Sequence, residues 1–430
     1  MIFISLIACG AVFWLANRRG MMLADPYVIF SLSFFYYQFM IPISMTLSGD
    51  YNTYTLGYSV SVTPAVMNML SFTLFAGFTA FTLGFKMVGS PLTSRIWNPS
   101  VEDRRNARGD AKILLAFTGF LIFVILLLYR EELVTLFSGY EGKISVGYNA
   151  STFSWLFKEA TLITAVVLNY LIFRGRNPIR VAALSILGFL LLSVVSSGKD
   201  GMVFAMLSGV CCLVRVAPNR QWLGLVVLFA AIAFALIYLV PVYAVYRGGG
   251  GLVLDAGRVI GSDIYFSDAL GPFAVLITLI AGAVPFPAHP ILLSPLLWIP
   301  RGIWNERPID MAEGFAREFM IGWQPGMGMG YSPIAEGYQR YGLLGGPIVL
   351  FLTGLIFSML QSGFVRTARP GLRLALYVTI SGYIAFFLNR GPMSGVFTQS
   401  LQFWLPVLGV LYIILLVSRI NKRGRSSQLR

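Results

Sequence analysis

The stretch from 347 to 373 reads PIVLFLTGLIFSMLQSGFVRTARPGLR, an apolar run followed by Arg366, Arg369 and Arg373. Its uncharged part approaches the roughly 20 apolar residues that cross the hydrocarbon core of a bilayer. Arginines directly after such a run mark the cytoplasmic end of a span. This stretch therefore predicts a membrane helix whose C-terminal end faces the cytoplasm.

The rest of the chain has the same character. Hydrophobic residues make up 57% of its 430 residues, charged residues 12%, and the mean hydropathy is +0.75. Such a composition leaves too little polar surface for a soluble protein, so we expect an all-α polytopic membrane protein. The candidate transmembrane helices, about eleven, are the apolar runs 2–16, 26–47, 63–85, 113–129, 156–173, 181–197, 201–214, 222–245, 347–364, 374–388 and 396–418.

The charge pattern supports this series of spans. The loops after odd-numbered spans hold 21 of the 32 Lys and Arg but only 4 of the 18 acids, a net charge of +17. The opposite face keeps 11 bases and 14 acids, a net charge of −3. The excess of bases predicts that the first face is cytoplasmic. We therefore expect a periplasmic N-terminus, a retained first span, a cytoplasmic C-terminus, and a basic pI that reflects topology rather than nucleic-acid binding.

One connection decides on which side of the membrane the later loops lie. The segment Ser196–Gly201 reads SSGKDG, which favours a tight hairpin between the spans 181–197 and 201–214. A single broken helix here would reverse the side of every later loop. The basic loops that follow favour the hairpin.

A long external segment divides the chain. We expect an N-terminal bundle of eight spans in 1–245, a large periplasmic loop with active-site elements in 246–346, and C-terminal helices with a basic cytoplasmic tail in 347–430. The loop contains short helices and the apolar run Gly271–Val284. Because both ends of the loop lie outside, that run cannot be a lone crossing, which leaves a re-entrant or an interfacial helix.

Basic residues of this outer face are candidates for ligand binding. A charged side chain in or near the membrane costs free energy, so a base near a span end that faces a cavity usually has a function. Arg247 directly precedes the run Gly248–Gly251, where a backbone without side chains permits close approach of a ligand. Lys199 and Arg390 have an equally good alternative, since bases at helix ends often extend to lipid headgroups. The full set of candidate bases is Lys199, Arg247, Arg301, Arg340 and Arg390.

The sequence of the loop predicts two helix starts. Asp310 has the spacing of a capping residue for a short helix through Phe319, which explains it structurally. Ser332 followed by Pro333 predicts a second helix start, with Glu336 in the first turn or just beyond it. Glu336 has two open interpretations: it complements the helix dipole, or it accepts a proton from a hydroxyl nucleophile.

Other chemistries find little support in the residue types. His289 is the only histidine and is followed by a proline, while Cys9, Cys211 and Cys212 lie in apolar runs. Neither a metal site nor a cofactor is expected from them. Arginines with abundant aromatic residues instead suit a ligand that carries a diphosphate and sugars.

The arrangement resembles the O-antigen and exopolysaccharide repeat-unit polymerases, the Wzy-type membrane glycosyltransferases. The resemblance rests on the SSGKDG turn, on Tyr246-Arg247 at the start of the external loop, and on Ile299-Pro300-Arg301 with Trp304 and Pro308. It rests most on the group Ser332-Pro333-Ile334-Ala335-Glu336-Gly337-Tyr338 with Tyr341-Gly342 and Gly345. The turn has Lys199 where the family more often has Arg.

The resemblance implies a metal-independent polymerase of the bacterial inner membrane, active in polysaccharide and lipopolysaccharide biosynthesis. It would join undecaprenyl-diphosphate-linked oligosaccharide units at the periplasmic face by en bloc transfer to a hydroxyl of a lipid-linked acceptor. Glu336 and Arg247 are its expected catalytic residues, with Glu336 as the general base or as the group that orients the acceptor. The expected diphosphate and sugar ligands are Lys199, Arg301, Arg340, Arg390, Tyr338 and Trp304.

The resemblance also implies membrane lipid and a separate chain-length regulator protein as partners. Three rivals stay open: an O-antigen ligase, a transporter or flippase of lipid-linked oligosaccharides, and a purely structural assembly subunit. Pro-flanked His289 fits a ligase poorly, and the absence of a recognisable internal repeat disfavours a flippase. A structural subunit leaves the charged loop residues unexplained.

Overall fold

A computed structural model of the chain describes part of its residues. They are residues 1–17, 23–49, 52–55, 58–88, 116, 119–120, 122–136, 151–174, 177–195, 200–216, 267–282, 291–297, 299, 303–319, 323, 328–367 and 372–397.

The described elements are helical except for one short hairpin. The helices are α1 (Ile2–Asn17), α2 (Pro26–Ser48), α3 (Pro64–Val88), α4 (Arg130–Leu136), α5 (Ser151–Arg174), α6 (Pro178–Val195), α7 (Asp200–Val216), α8 (Ser267–Ile280), α9 (Met311–Phe319), α10 (Pro333–Tyr341), α11 (Gly345–Thr367) and α12 (Leu372–Phe387). Two 3₁₀ turns cover Ile291–Leu296 and Gly342–Leu344.

Most predicted spans correspond to these helices, from α1 to α3, from α5 to α7, and α11 and α12. Within the described residues, three helical segments are long and apolar enough to cross a membrane: Pro26–Ser48, Pro64–Val88 and Pro333–Ser362. The run 222–245 and most of the run 396–418 lie outside the described residues, and the run 113–129 is described only in part. The chain is a helical membrane protein, and the number of eleven spans stays a prediction.

One connection of this helical chain is a short β-hairpin that the sequence analysis did not predict. Strand β1 (Asn52–Thr55) pairs antiparallel with β2 (Tyr58–Ser61), with Asn52 opposite Ser61 and Thr55 opposite Tyr58. Thr, Tyr and Val in residues 52–55 and 58–61 favour extended backbone, and only two residues separate the two segments in the sequence. The hairpin lies between α2 and α3 in the chain.

The predicted turn between the sixth and seventh helices is consistent with the packing. Helices α6 and α7 lie against one another. A side chain on Gly201 would collide with the carbonyl oxygen of Phe189 and the hydroxyl of Ser193, so the two backbones approach closely just beside the connection. This contact fits a hairpin rather than one broken helix. Lys199 itself lies outside the described residues.

Helices α3 and α11 pack along a seam in which their backbones approach closely. A Cβ on Gly84 would overlap the carbonyl oxygen of Phe351, and a Cβ on Gly354 would overlap that of Phe81. Small residues that let two backbones touch are the usual basis of helix association in lipid. The seam therefore depends on glycine at both positions.

A buried polar cluster joins three helix ends that the charge pattern assigns to the cytoplasmic side. Asp25 caps α2 by accepting a hydrogen bond from the Tyr27 backbone N–H at 2.9 Å. The Gln361 amide of α11 donates to its other carboxylate oxygen at 3.0 Å, and the Tyr377 hydroxyl of α12 donates to Gln361 at 3.1 Å. The start of α2, the end of α11 and the start of α12 therefore meet, as the predicted parity requires.

The end of α12 and the start of α10 lie deep among the helices, far from the β-hairpin that joins the end of α2 to the start of α3. Asn389, just past α12, donates to the Phe30 carbonyl at 3.2 Å and to the Ser33 hydroxyl at 2.6 Å. Helix α2 continues to Ser48, and fifteen further residues correspond to about 22 Å at 1.5 Å per residue. Ile334 of α10 packs against Gly77, thirteen residues or about 20 Å into α3. The predicted external loop thus folds back between the helices.

The run Gly271–Val284 is mostly helical, as expected, and forms the greater part of α8. This helix has 14 residues, about 21 Å, and packs against α2, α3 and α10. Its residues Pro272 to Ile280 are buried. A helix shorter than the bilayer core and covered by neighbouring helices fits the re-entrant alternative.

Candidate functional site

Helix α10 starts where the sequence predicted. Ser332 is extended, with φ −149° and ψ 154°, and its hydroxyl accepts from the Ala335 backbone N–H at 3.3 Å. Pro333 occupies the first helical position, where its missing N–H costs nothing. Glu336 lies in the first turn. The cap therefore fixes where the Glu336 side chain leaves the helix.

Glu336 forms a buried ion pair with Arg340, one turn further along α10. The Arg340 Nη2 atom lies 2.5 Å from Glu336 Oε1, and the two side chains are 3% and 0% exposed. Burial of a lone carboxylate is costly, whereas a guanidinium at this distance compensates its charge. Two of the predicted site residues are thus brought into direct contact.

The other oxygen of Glu336 binds a turn that follows α12. Glu336 Oε2 accepts from the backbone N–H of Met393 at 2.6 Å. The backbone N–H of Tyr331 donates to the carbonyl of Arg390 at 2.8 Å. Both contacts hold the Arg390–Ser394 turn against the start of α10. The backbone of Arg390, which was predicted as a ligand residue, therefore lies against the start of the helix that carries Glu336.

Asp310 is a third attachment of this turn, and the sequence reading omitted it from the site. One carboxylate oxygen accepts from the Ala312 backbone N–H at 2.9 Å, which confirms the predicted cap of α9. The other accepts from the Ser394 hydroxyl at 2.7 Å, across 84 residues of sequence. The capping spacing explained Asp310 fully in sequence terms, so no local signal pointed to its second contact.

Tyr331 lines the same junction. Its side chain is fully buried and donates a hydrogen bond to the Gln339 side chain. Burial, and then the nearby Glu336 carboxylate, raise the pKa of the Tyr331 phenol well above its ordinary value. The phenol therefore stays protonated and acts as a donor that braces α10.

The remaining predicted residues are more scattered. The Arg390 guanidinium lies over the Phe387 ring, 5.8 Å from its centroid, which anchors it beside the turn. Tyr338 is partly buried on α10 and packs against the core. Trp304 lies in the loop before α9 and is partly buried. Lys199, Arg247 and Arg301 lie outside the described residues, so their place in the site stays a prediction.

The chemical groups of the site suit an anionic ligand more than a bound cation. Within the described residues, no group of three or more His, Cys, Asp or Glu is placed to hold a metal ion. Two guanidinium groups, Arg340 and Arg390, belong to elements joined by Glu336. Arginine is the side chain best shaped for bidentate contact with a phosphate.

The site lies at depth rather than on a surface loop. Ile334, two residues before Glu336, contacts Gly77 of α3, and Asn389, beside Arg390, contacts α2 near Ser33. Irregular backbone at such depth is stable only where protein or a water-filled cavity surrounds it. The three attachments of the Arg390–Ser394 turn supply that cover.

Comparison with known proteins gives one match. Residues 319–423 match the model of the family described as O-antigen polysaccharide polymerase Wzy. No curated protein and no solved structure matches the chain. The matched segment contains Glu336, Arg340 and the Arg390–Ser394 turn, so it includes the core of the site. Over residues 319–423 the chain is thus similar to the O-antigen polysaccharide polymerase Wzy family, which confirms the resemblance inferred from its sequence.

Proposed function

We propose that the protein polymerises undecaprenyl-diphosphate-linked oligosaccharide repeat units at the periplasmic face of the bacterial inner membrane. It transfers the growing saccharide en bloc from its lipid diphosphate to a hydroxyl of the next lipid-linked unit. The observation that carries this proposal is the coincidence of the Wzy match with the Glu336–Arg340 pair. The N-terminus is periplasmic and the C-terminus cytoplasmic in this proposal.

The leaving group of this reaction is a lipid diphosphate, whose negative charge grows as the sugar–phosphate bond breaks. Arg340 and Arg390 stabilise that charge, together with the predicted Arg247, Arg301 and Lys199. Fixed guanidinium groups in a site that excludes water stabilise developing charge strongly, so the proposed chemistry needs no metal. Tyr338 and Trp304 pack against the sugars.

Glu336 has a role that changes with its partner. With Arg340 on one oxygen and the Met393 N–H on the other, both carboxylate oxygens are already occupied, so neither is free to accept the proton of a hydroxyl. We propose that a bound diphosphate draws Arg340 away from Oε1. The freed oxygen then accepts the proton of the acceptor hydroxyl as that hydroxyl attacks the anomeric carbon and lipid diphosphate departs.

The test is a reconstituted reaction. Purified protein and lipid-linked repeat units are incubated in the presence of EDTA, and products are resolved on a gel that separates repeat-unit ladders. We expect a ladder from the wild type and its loss in Glu336→Gln, Arg340→Leu and Arg247→Ala. Glu318→Gln, at an exposed acid of α9, is the matched control and should leave the ladder unchanged.

The same preparation separates the rivals. Transbilayer movement of the lipid-linked unit in liposomes, without a ladder, would show a flippase. Transfer of saccharide to lipid A core, without lengthening of the lipid-linked chain, would show a ligase. A chain-length regulator is a proposed partner, and its addition should change the length distribution of the ladder rather than its presence.

A further inference from the structure

Gln38 of α2 is a buried polar side chain that the proposed mechanism does not use. The residue is 1% exposed. Its Nε2 atom donates to the backbone carbonyl of Asn389 at 3.4 Å, across 351 residues of sequence. Within the described residues, its Oε1 atom has no hydrogen-bond partner. Gln38 therefore makes one long hydrogen bond to the end of α12 and leaves one buried oxygen unsatisfied.

This arrangement contributes little to the stability of the helix bundle. Hydrogen bonds between helices in a membrane are individually weak, whereas a buried polar atom without a partner is destabilising. An apolar side chain in place of Gln38 would remove the unsatisfied Oε1 and leave the Asn389 carbonyl unsatisfied instead. One buried oxygen without a partner would replace another, so a contribution to stability does not explain this glutamine.

The Asn389 carbonyl lies where the helix is interrupted. In a continuous helix it would accept from the N–H four residues later, which is that of Met393. Pro392 lacks an N–H and disfavours a continuous helix here. The Met393 N–H donates instead to Glu336 Oε2 at 2.6 Å, while the Asn389 carbonyl accepts from Gln38. Both partners of the replaced helical hydrogen bond are thus bound by side chains of other helices, α10 and α2.

Arg390 lies inside this interruption, and its backbone is held on both sides. The Asn389 side chain, one residue earlier, donates to the Ser33 hydroxyl of α2 at 2.6 Å. The Arg390 carbonyl accepts from the Tyr331 N–H, next to the start of α10, at 2.8 Å. The position of Arg390 relative to Glu336 therefore depends on α2 on one side and on α10 on the other.

We propose that Gln38 is a positioning residue for the diphosphate site, and that it acts on Arg390 through the Asn389 carbonyl. The role of Arg390 in binding the diphosphate rests on the proposed function. By occupying the carbonyl, Gln38 keeps it from competing with Glu336 for the Met393 N–H, and the turn stays open. Without the Gln38 amide, Arg390 occupies its binding position for a smaller fraction of the time, which weakens the apparent affinity.

The experiment measures binding of undecaprenyl diphosphate to the purified full-length protein in detergent. Gln38→Met removes the amide and keeps an unbranched side chain. Ser33→Ala removes the hydroxyl that accepts from Asn389, and it tests the same contact with α2 if Gln38→Met does not fold. Asn169→Leu is the matched control, because Asn169 is also a fully buried amide that binds α12, where it donates to the Thr379 hydroxyl at 2.9 Å.

We expect Gln38→Met to weaken binding of undecaprenyl diphosphate about fivefold, the size of one neutral hydrogen bond, with a thermal midpoint close to that of the wild type. Ser33→Ala should weaken binding in the same direction. Asn169→Leu should lower the midpoint, because the Ser208 hydroxyl loses its acceptor, and should leave binding unchanged. A residue with a merely structural role would show the opposite pattern.

The decisive comparison is a double-mutant cycle with Arg390→Ala. Arg390→Ala alone should weaken binding at least about tenfold, because it removes a charged contact to the diphosphate. Addition of Gln38→Met to this variant should cause no further loss, since a positioning residue has no effect once the residue that it positions is absent.

Three outcomes would overturn the proposal. The first is equal binding in the wild type and in folded Gln38→Met and Ser33→Ala. The second is a further fivefold loss when Gln38→Met is added to Arg390→Ala, because the two effects would then be independent. The third is unchanged binding in Arg390→Ala. A failure of the proposed polymerisation is detected separately, as the absence of a ladder from the wild type, and the binding comparison then still decides the role of Gln38.

Discussion

Two buried carboxylates at opposite ends of α11 and α12 show how differently the same group can be used. Asp25 and Glu336 are both fully buried. Asp25 accepts hydrogen bonds from a backbone N–H and from the amide of Gln361, which are neutral groups that tie helix ends together. Glu336 accepts from a guanidinium and from the N–H of a turn. The first arrangement holds helix ends together, and the second holds the arginine that binds the diphosphate in the proposed mechanism.

Replacing the cation should have the largest effect. Arg340→Leu leaves Glu336 buried without its partner, which we expect to lower the free energy of unfolding by about 3–5 kcal/mol. Polymer formation should fall by at least about 100-fold, because removal of one electrostatic stabiliser of a transition state has effects of that size. Chemical unfolding in detergent and the ladder assay measure the two quantities. Arg340→Lys keeps the charge but loses the planar fork, and near-normal activity in Arg340→Leu would contradict the proposed role.

Overpacking of the seam between α3 and α11 should have the next largest effect on stability. Gly354→Ala forces a Cβ into the Phe81 carbonyl, and overpacking of this kind costs about 1–3 kcal/mol of stability. Gly188→Ala is the matched control in α6, since nothing lies within 4 Å of its added Cβ. Thermal unfolding of both variants tests the seam. Equal stability of the two variants would show that α3 and α11 are further apart than described.

Disruption of the buried polar cluster of Asp25, Gln361 and Tyr377 should lower stability without changing the activity of folded protein. Gln361→Leu removes the amide that joins Asp25 to Tyr377, and an unsatisfied buried polar group costs about 1–3 kcal/mol. Activity per folded molecule should stay within twofold of the wild type. A loss of activity as large as that of Arg340→Leu, at full folding, would remove the distinction between the two clusters.

The smallest change should separate positioning from stability. Ser394→Ala removes the hydroxyl that binds Asp310, and we expect a stability loss of about 1 kcal/mol or less with a roughly tenfold fall in kcat. Ser362→Ala is the control, because the Ser362 hydroxyl donates to the Val88 carbonyl at 2.7 Å, far from the site. A comparable loss of kcat in both variants would assign the effect to general loosening of the helices.

Local signals in the chain were sufficient for the helices and their starts. Apolar runs located α1 to α3 and α11, because hydrophobic length is a property of consecutive residues. The caps at Asp310 and Ser332 were also readable, since each cap joins residues only two or three positions apart. The hairpin β1–β2 was missed because its two four-residue strands are short and polar enough to read as a loop.

Contacts between distant segments were not readable from the sequence. Glu336 meets Met393 across 57 residues, and Asp310 meets Ser394 across 84. Each partner looks ordinary in its own neighbourhood, a backbone N–H in one case and a serine in the other. The depth of the site was equally hidden, because nothing local shows that α12 ends beside Ser33 rather than level with the end of α2.

The depth of the Arg390–Ser394 turn has a consequence for the outcome of each turnover. A glycosyl donor attacked by water is lost as a free saccharide, whereas one attacked by a sugar hydroxyl extends the chain. A site about 20 Å from the end of α2 and the start of α3, in which the Arg340 and Glu336 side chains are 3% and 0% exposed, admits few competing waters. In the proposed reaction, the burial of this turn favours elongation over wasteful hydrolysis and thereby sets how many units are added for each lipid carrier consumed.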